Sequence, residues 1–373
     1  MKFALTICIL LAASLCLGSW LVLGQKKFGA FPEGQRLKRI QASPNWHDGA
    51  FANTVFVPRR TEGVSFARMM WRYWFGKKER LSPKDPLPSV KTDLTSLDRA
   101  QDMLVWFGHS SFFLQQDGIR ILVDPVFSPN AAPFSFSTKA FPGTDVYGVA
   151  DMPPIDYLLI SHDHWDHLDY ATVTALHANL NERAGKVVCP LGVGAHLERW
   201  GFDSQDIIEA DWGDALQLQP GLTLHLCTTR HFSGRTLRAD QSLWAGFLLE
   251  TPARRIYYSG DGGYGEHFAA VGRQFGPIDL AILENGQYDA NWKYMHMLPE
   301  ETAQAALDLK AKALLPVHAA KFSIASHAWD DPLHRIVAAS QGKPYRLLTP
   351  MMGEPVYLDG REQVFSHWWA VYY

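Results

Sequence analysis

Apolar positions along the chain fall into short runs separated by glycine, proline and polar breaks. Met103 to Phe107, Ser111 to Gln115 and Ile119 to Val123 are compact or alternating apolar stretches broken at Gly108 and Asp117-Gly118, which predicts consecutive hairpin strands. Tyr157 to Ile160 are four large residues in succession that leave no face for water, so they predict a buried strand. Further strands are expected over 186–189, 222–228, 243–249, 255–258, 278–283 and 313–317, and helices over 65–78, 168–180, 194–200 and 299–309. Strands that first pair in hairpins and later alternate with helices predict two sheets packed face to face with helices outside. No internal repeat or low-complexity segment interrupts this pattern.

The N-terminal run has a different character. From Phe3 to Gln25 there is no charged side chain, and a helix needs ~20 apolar residues to cross a hydrocarbon core, so 1–25 is expected to be a membrane anchor. A signal peptide is the competing reading; its apolar region is ~7–15 residues and ends at a small-residue cleavage site, for which Ser14 and Gly18 are a poor match. Lys2 precedes the run while Lys26, Lys27, Arg36, Lys38 and Arg39 follow it, a balance that favours a cytoplasmic over a periplasmic body. Residues 26–100 form an irregular extension rich in Pro, Gly and Trp, and 101–373 the main domain. Within the extension, Ser65 to Lys78 mixes aromatics with Arg and Lys, a composition equally suited to lying on lipid and to packing on the main domain. With 35 basic against 38 acidic residues the net charge is −3, which gives nucleic acid no bulk attraction. Of the four cysteines none shares a Cys-x-x-Cys spacing, so neither a disulfide framework nor a thiolate metal knuckle is indicated.

The chemistry concentrates after the strand at 157–160. Ser161-His162-Asp163-His164-Trp165-Asp166-His167 places three imidazoles and two carboxylates in one strand-end loop. Neutral imidazole with carboxylate suits zinc and similar divalent ions, and so many dehydrated ligands at one strand end are costly without a cation. His231, Asp261 and His318 also stand just past short apolar strands, so sheet ends can deliver them to the same edge. Gly108-His109 and Asp124-Pro125 occupy two further strand ends.

An Asp at a strand end, His-x-His-x-Asp-His, a later His, a Gly-Asp and a final His, in that order, resemble the metallo-β-lactamase superfamily. The resemblance implies an α/β fold, an αββα four-layer sandwich, with a dinuclear zinc site in its edge groove. His162, His164 and His231 would hold one ion, Asp166, His167 and His318 the other, and Asp261 would bridge them. Asp124 would support the site without binding metal, and His109 is expected to orient a ligand. Within the superfamily the chain looks most like the N-acyl-phosphatidylethanolamine-hydrolysing phospholipase D branch, through Trp106 to Ser111, Asp124 to Ser128, His162 to Asp169, Gly260 to Tyr264, Arg273 to Ala281 and His296 to Glu301. It departs from that branch at Glu284 to Trp292, where the phospholipases tend to carry Pro-Ile-Gly-Ala-Tyr before Pro-Arg-Trp, and at His318 to Phe322, where they tend to carry His-Trp-Gly-Thr-Phe.

Two divalent ions about 3.5–4 Å apart hold the attacking and leaving oxygens of a displacement and let a shared water ionise near neutral pH. The expected function is therefore a two-zinc phosphodiesterase of phospholipase D type, working through a metal-bridging hydroxide on membrane phospholipid. Asp166 and Asp261 would serve catalysis through the ions, and His296 would protonate the leaving alkoxide. Manganese or iron can occupy the same ligands. Tyr264, Tyr288 and Trp292 are candidates for an acyl groove. Two alternatives stand beside this reading: a hydrolase of a soluble phosphate ester or lactone, and a non-catalytic membrane-tethered metal binder. Oligomeric state is left open.

Overall fold

The computed structural model describes residues 2–76, 79–182 and 185–371. Helix α1 runs over Lys2–Leu23 and α2 over Gly34–Gln41; a two-stranded ribbon, β1 (Trp46–His47) and β2 (Ala50–Phe51), and helix α3 (Phe66–Phe75) complete the extension. The first large sheet is built from β3 (Met103–Trp106), β4 (Phe112–Gln116), β5 (Ile119–Val123), β6 (Tyr157–Leu159), β7 (Lys186–Pro190) and β8 (Ile207–Ala210), with helices α4 (Tyr170–Glu182) and α5 (Gly194–Arg199) between its later strands. The second contains β9 (Ala215–Gln219), β10 (Leu222–Cys227), β11 (Gly246–Glu250), β12 (Arg255–Tyr258), β13 (Leu280–Glu284), β14 (Ala313–Val317) and β15 (Arg346–Leu347), with α6 (Glu266–Gln274), α7 (Pro299–Asp308) and α8 (Asp331–Ser340). A last strand, β16 (Pro355–Tyr357), returns to pair with β3, so the sheet orders are 16-3-4-5-6-7-8 and 15-14-13-12-11-10-9.

Strand alternation explains the layers. Leu104 and Trp106 of β3, Ile121 and Val123 of β5, and Ile256 and Tyr258 of β12 join one core between the two sheets. Their neighbours face outward and are buried too: Val105 and Leu122 meet Val173, Leu176 and Leu197, while Tyr257 meets Phe268, Val271 and Ala306. Both faces of each sheet are thus covered, which is why these strands read as continuous apolar runs. The expected αββα sandwich is the architecture observed.

The extension is fastened to this body rather than set apart from it. Arg36 pairs with buried Glu209 at 2.7 Å and with Glu198, and Ile40 and Phe51 pack with Leu191, Leu243 and Trp244. Among the described residues no helix is long and apolar enough to cross a membrane. The anchor expected over 1–25, which falls in part on Met1 and on side chains outside that description, has no support from it. Lys77 and Lys78, the end of the helix expected over 65–78, also lie outside the described residues.

Candidate metal centre

Strand direction decides which side chains meet. β5, β6 and β7 run parallel, and β3 shares their direction because both flank antiparallel β4. In the other sheet β12, β13 and β14 are parallel, and β10 shares their direction across antiparallel β11. His109, Asp124, the His162–His167 loop, His231, Asp261, Glu284 and His318 therefore stand at or just beyond carboxyl ends of strands. The turns there are tight: His109, Asp124, Gln287, His318 and Ala320 hold positive φ between 40° and 64°, a conformation that costs a non-glycine residue energy and marks sites where the surroundings dictate the backbone. Gly260 carries the same constraint, with φ +59° and space for a Cβ only 2.6 Å from the Ala245 carbonyl.

Two ligand groups result. His162 Nε2 lies 2.9 Å and His231 Nε2 3.2 Å from His164 Nδ1. Asp166, His167 and His318 gather beside them together with His109, whose Nε2 is 2.8 Å from Asp166 Oδ2. Asp261 stands between the groups: Oδ2 is 3.0 Å from His167 Nε2 and 3.9 Å from both His162 Nε2 and His231 Nε2, and Oδ1 is 3.2 Å from His318 Nδ1. Every residue expected from the sequence to hold metal is therefore in one place.

Outer oxygens also hold the rings, in His318 at the same nitrogen that faces Asp261. His167 Nδ1 lies 2.9 Å from Asp124 Oδ2, His231 Nδ1 3.3 Å from the Met295 carbonyl, His162 Nδ1 3.0 Å from Ser161 Oγ and His318 Nδ1 2.9 Å from Ser110 Oγ. Such outer contacts fix ring orientation and tautomer. Asp124 also receives Ser161 N–H at 2.8 Å and the Tyr258 hydroxyl at 2.7 Å, the latter reaching across from the opposite sheet.

The donor set fits cations. Burial, reinforced by neighbouring imidazoles, holds His162, His231 and His318 well below the ordinary histidine range, so they are neutral and keep a lone pair for a metal. Burial opposes charge on His167 as well, but Asp261 and Asp166 raise it well above that range; burial likewise works against the Asp166 carboxylate, and His167 and His109 hold it low. The charge on His167 thus balances carboxylates at the position where a cation would do the same. His167 Nε2 and Asp261 Oδ1 are buried and make no hydrogen bond. Buried polar atoms in that state call for a partner such as an ion.

His296 is adjacent, its ring centroid 5.2 Å from that of His231 and 5.1 Å from that of His318. Both groups open into a cavity of about 800 Å³. Its apolar wall includes Val64, Phe66 and Met69 from the extension, with Trp292, Met295 and Ile324 opposite. Of the three aromatic residues expected in an acyl groove only Trp292 lines this cavity. Tyr264 instead hydrogen-bonds Asp308 at 2.6 Å and stacks near Phe268, and Tyr288 is buried, hydrogen-bonded to Asp331 and stacked on His327. Their hydroxyls find partners away from the metal groups, which draws the rings out of the groove. The wall residues Phe66 and Met69 were not singled out from sequence, because nothing local says where a helix in the irregular extension, well before the first core strand, will dock. Glu284, noted only as a departure, proves fully buried beside His296. A lone charge ending the apolar run Leu280 to Leu283 was the signal for it.

Residues 119–319 match the beta-lactamase superfamily domain. An uncharacterized protein of Mycobacterium tuberculosis is 34% identical over 370 residues, covering 96% of this chain and 97% of its own. N-acyl-phosphatidylethanolamine-hydrolyzing phospholipase D 1 of Caenorhabditis elegans is 29% identical over 57% of this chain and 62% of its length. Among solved structures, an isothiocyanate hydrolase from Delia radicum gut bacteria superposes with a TM-score of 0.52 at 18% identity, over 68% of this chain and 98% of that one, a likeness of fold alone.

Proposed function

Since the chain belongs to the metallo-β-lactamase superfamily and is a metal-dependent hydrolase, we propose that it cleaves the head-group phosphodiester of an N-acyl-phosphatidylethanolamine-like phospholipid in phospholipase D manner. The observation that carries the proposal is the largely apolar cavity of about 800 Å³ above the ligand groups, which would take an acyl chain and is bordered by Arg59 and Arg60 where an anionic head group would lie. Likeness to the nematode phospholipase supports the same substrate class.

His162, His164 and His231 would hold one zinc ion and Asp166, His167 and His318 a second, with Asp261 between them. When bound, such a pair supplies Lewis acidity toward phosphoryl oxygens and lowers the pKa of a water to about 7. The chain's own residues do the rest. Neutral His162, His231 and His318 offer lone pairs, kept aimed by Ser161, the Met295 carbonyl and Ser110, while Asp124 orients His167. Val64, Phe66, Met69, Trp292 and Ile324 would exclude water from the scissile bond, and His296 would give its proton to the departing alkoxide.

Membrane association belongs to the same proposal. Leu10, Leu11, Leu17, Trp20 and Leu21 of α1 are exposed, as are Trp71 and Phe75 on the side of α3 away from the cavity. The decisive assay presents N-acyl-phosphatidylethanolamine in mixed micelles to the zinc-loaded protein and follows release of phosphatidic acid by mass spectrometry. Turnover of lactones or water-soluble phosphate esters, with none of the micellar lipid, would replace this reading with that of a soluble-ester hydrolase.

A further inference from the structure

The geometry assigns a positioning role to Glu284, and we propose that it forms with His296 an acid-delivering dyad that this chain carries in place of a proline-bearing segment. Glu284 ends β13, is fully buried, and is fixed through its main chain by Ser259 Oγ at 3.1 Å and Thr302 Oγ1 at 2.9 Å. Its carboxylate receives three donors: Met297 N–H at 2.5 Å on Oε1, and Gly262 N–H at 3.1 Å and His296 Nδ1–H at 2.9 Å on Oε2. An acceptor-only group is needed, because an amide in its place would set N–H against N–H at one of the three. Nδ1 is thereby committed as a donor to the carboxylate, leaving Nε2 as the nitrogen that serves the cavity His296 lines.

A water oxygen forms the new bond to phosphorus as the P–O bond to the head-group alcohol breaks; the electron pair of the broken bond stays on the alcohol oxygen, which takes the Nε2 proton, and neutral imidazole remains, still donating Nδ1–H to Glu284, until the proton given up by the attacking water restores it. A carboxylate behind an imidazole stabilises the protonated ring and fixes its orientation without itself taking the proton.

The role in turnover rests on the phosphodiesterase reading, whereas the hydrogen bond does not, and the experiment separates them. In ¹⁵N-histidine-labelled wild type, His296 Nδ1 should carry a strongly hydrogen-bonded proton that disappears in Glu284→Gln; a bare Nδ1, or one unchanged in the variant, overturns the dyad whatever the substrate. In kinetics, Glu284→Gln should lower kcat on the phospholipid by about 10²-fold with KM unchanged, His296→Asn should do the same, and the double variant should be no slower than either. On bis(4-nitrophenyl) phosphate, whose leaving group needs no proton, the loss should shrink to about threefold or less. Equal losses on both diesters, additive effects in the double variant, or loss of bound zinc from Glu284→Gln would each show that Glu284 acts on the fold or the metals instead. Wild type inactive on both diesters would sink the phosphodiesterase reading and leave the proton measurement to judge the dyad.

Discussion

Asp124 sits one layer behind the ligands and still decides how one of them points. It is fully buried and collects Ser161 N–H, Ser161 Oγ–H, the Tyr258 hydroxyl and His167 Nδ1–H. Asp124→Asn turns one accepting oxygen into a donor facing those groups, so zinc affinity should fall about 10–100-fold in chelator competition while the far-ultraviolet spectrum stays unchanged. Unaltered affinity would mean that His167 is oriented by packing alone. Lys321 poses the opposite problem, a fully buried amine whose Nζ donates to the Val126 carbonyl at 2.9 Å and meets no carboxylate among its hydrogen bonds. Burial lowers it to about 8. A base whose folded pKa is lowered weakens the fold at every pH below that value, and the penalty is relieved as pH rises from about 8 toward the unfolded value of about 10.4. Lys321→Met should therefore be more stable than wild type at pH 7 by on the order of 3 kcal/mol at most, an advantage that shrinks by pH 10 in denaturant titrations. A difference that does not change with pH would refute the account.

At the scale of elements, α3 joins the site to whatever lies outside it. Phe66 and Met69 line the cavity, while Trp71 and Phe75 pack on each other at 4.5 Å between ring centroids and are 66% and 70% exposed. Phe66→Ser with Met69→Ser should raise KM for a long-chain phospholipid by about tenfold and leave a short-chain soluble diester within about twofold, since burying a large apolar side chain is worth ~1.5–3 kcal/mol. Parallel losses on both substrates would place α3 outside acyl recognition. The elements also show what can be read along a chain. Strands β3 to β7 and β11 to β14 are buried on both faces and announce themselves as apolar runs, and β10 as an alternating one. β8 and β9 lie at the open edge of each sheet, where half-exposed Ile207 and Gln219 and exposed Gln217 dilute the pattern. α6 buries only Phe268, Val271 and Gly272, too few for a helical stripe to stand out. Metal ligands were legible because each follows an apolar strand. Tyr264 and Tyr288 misled because a tyrosine's position in sequence does not reveal which acceptor its hydroxyl will find.

For the whole molecule, the ligands come from both sheets: His162, Asp166 and His167 follow β6 of one, His231, Asp261 and His318 follow strands of the other. Ions held there would cross-link two layers that otherwise meet through apolar packing. Removing them with a chelator should lower Tm by on the order of 10 °C, and zinc should restore it, because a ligand at 1,000 times its Kd stabilises by about 4 kcal/mol. A calorimetric transition indifferent to chelation would mean that the sheets hold one another unaided. The N-terminal helix is subject to a different mechanical rule. Its exit is gripped at successive carbonyls, Gly24 by Arg199, Lys26 by Trp200 Nε1 and Lys27 by Arg235, at 2.7, 2.7 and 3.0 Å, and Phe28 then wedges against Trp165 inside the metal loop. This junction is a bracket, not a swivel: the heading of α1 sets the tilt of the catalytic mouth, so a surface that captures the helix also chooses which way the enzyme faces.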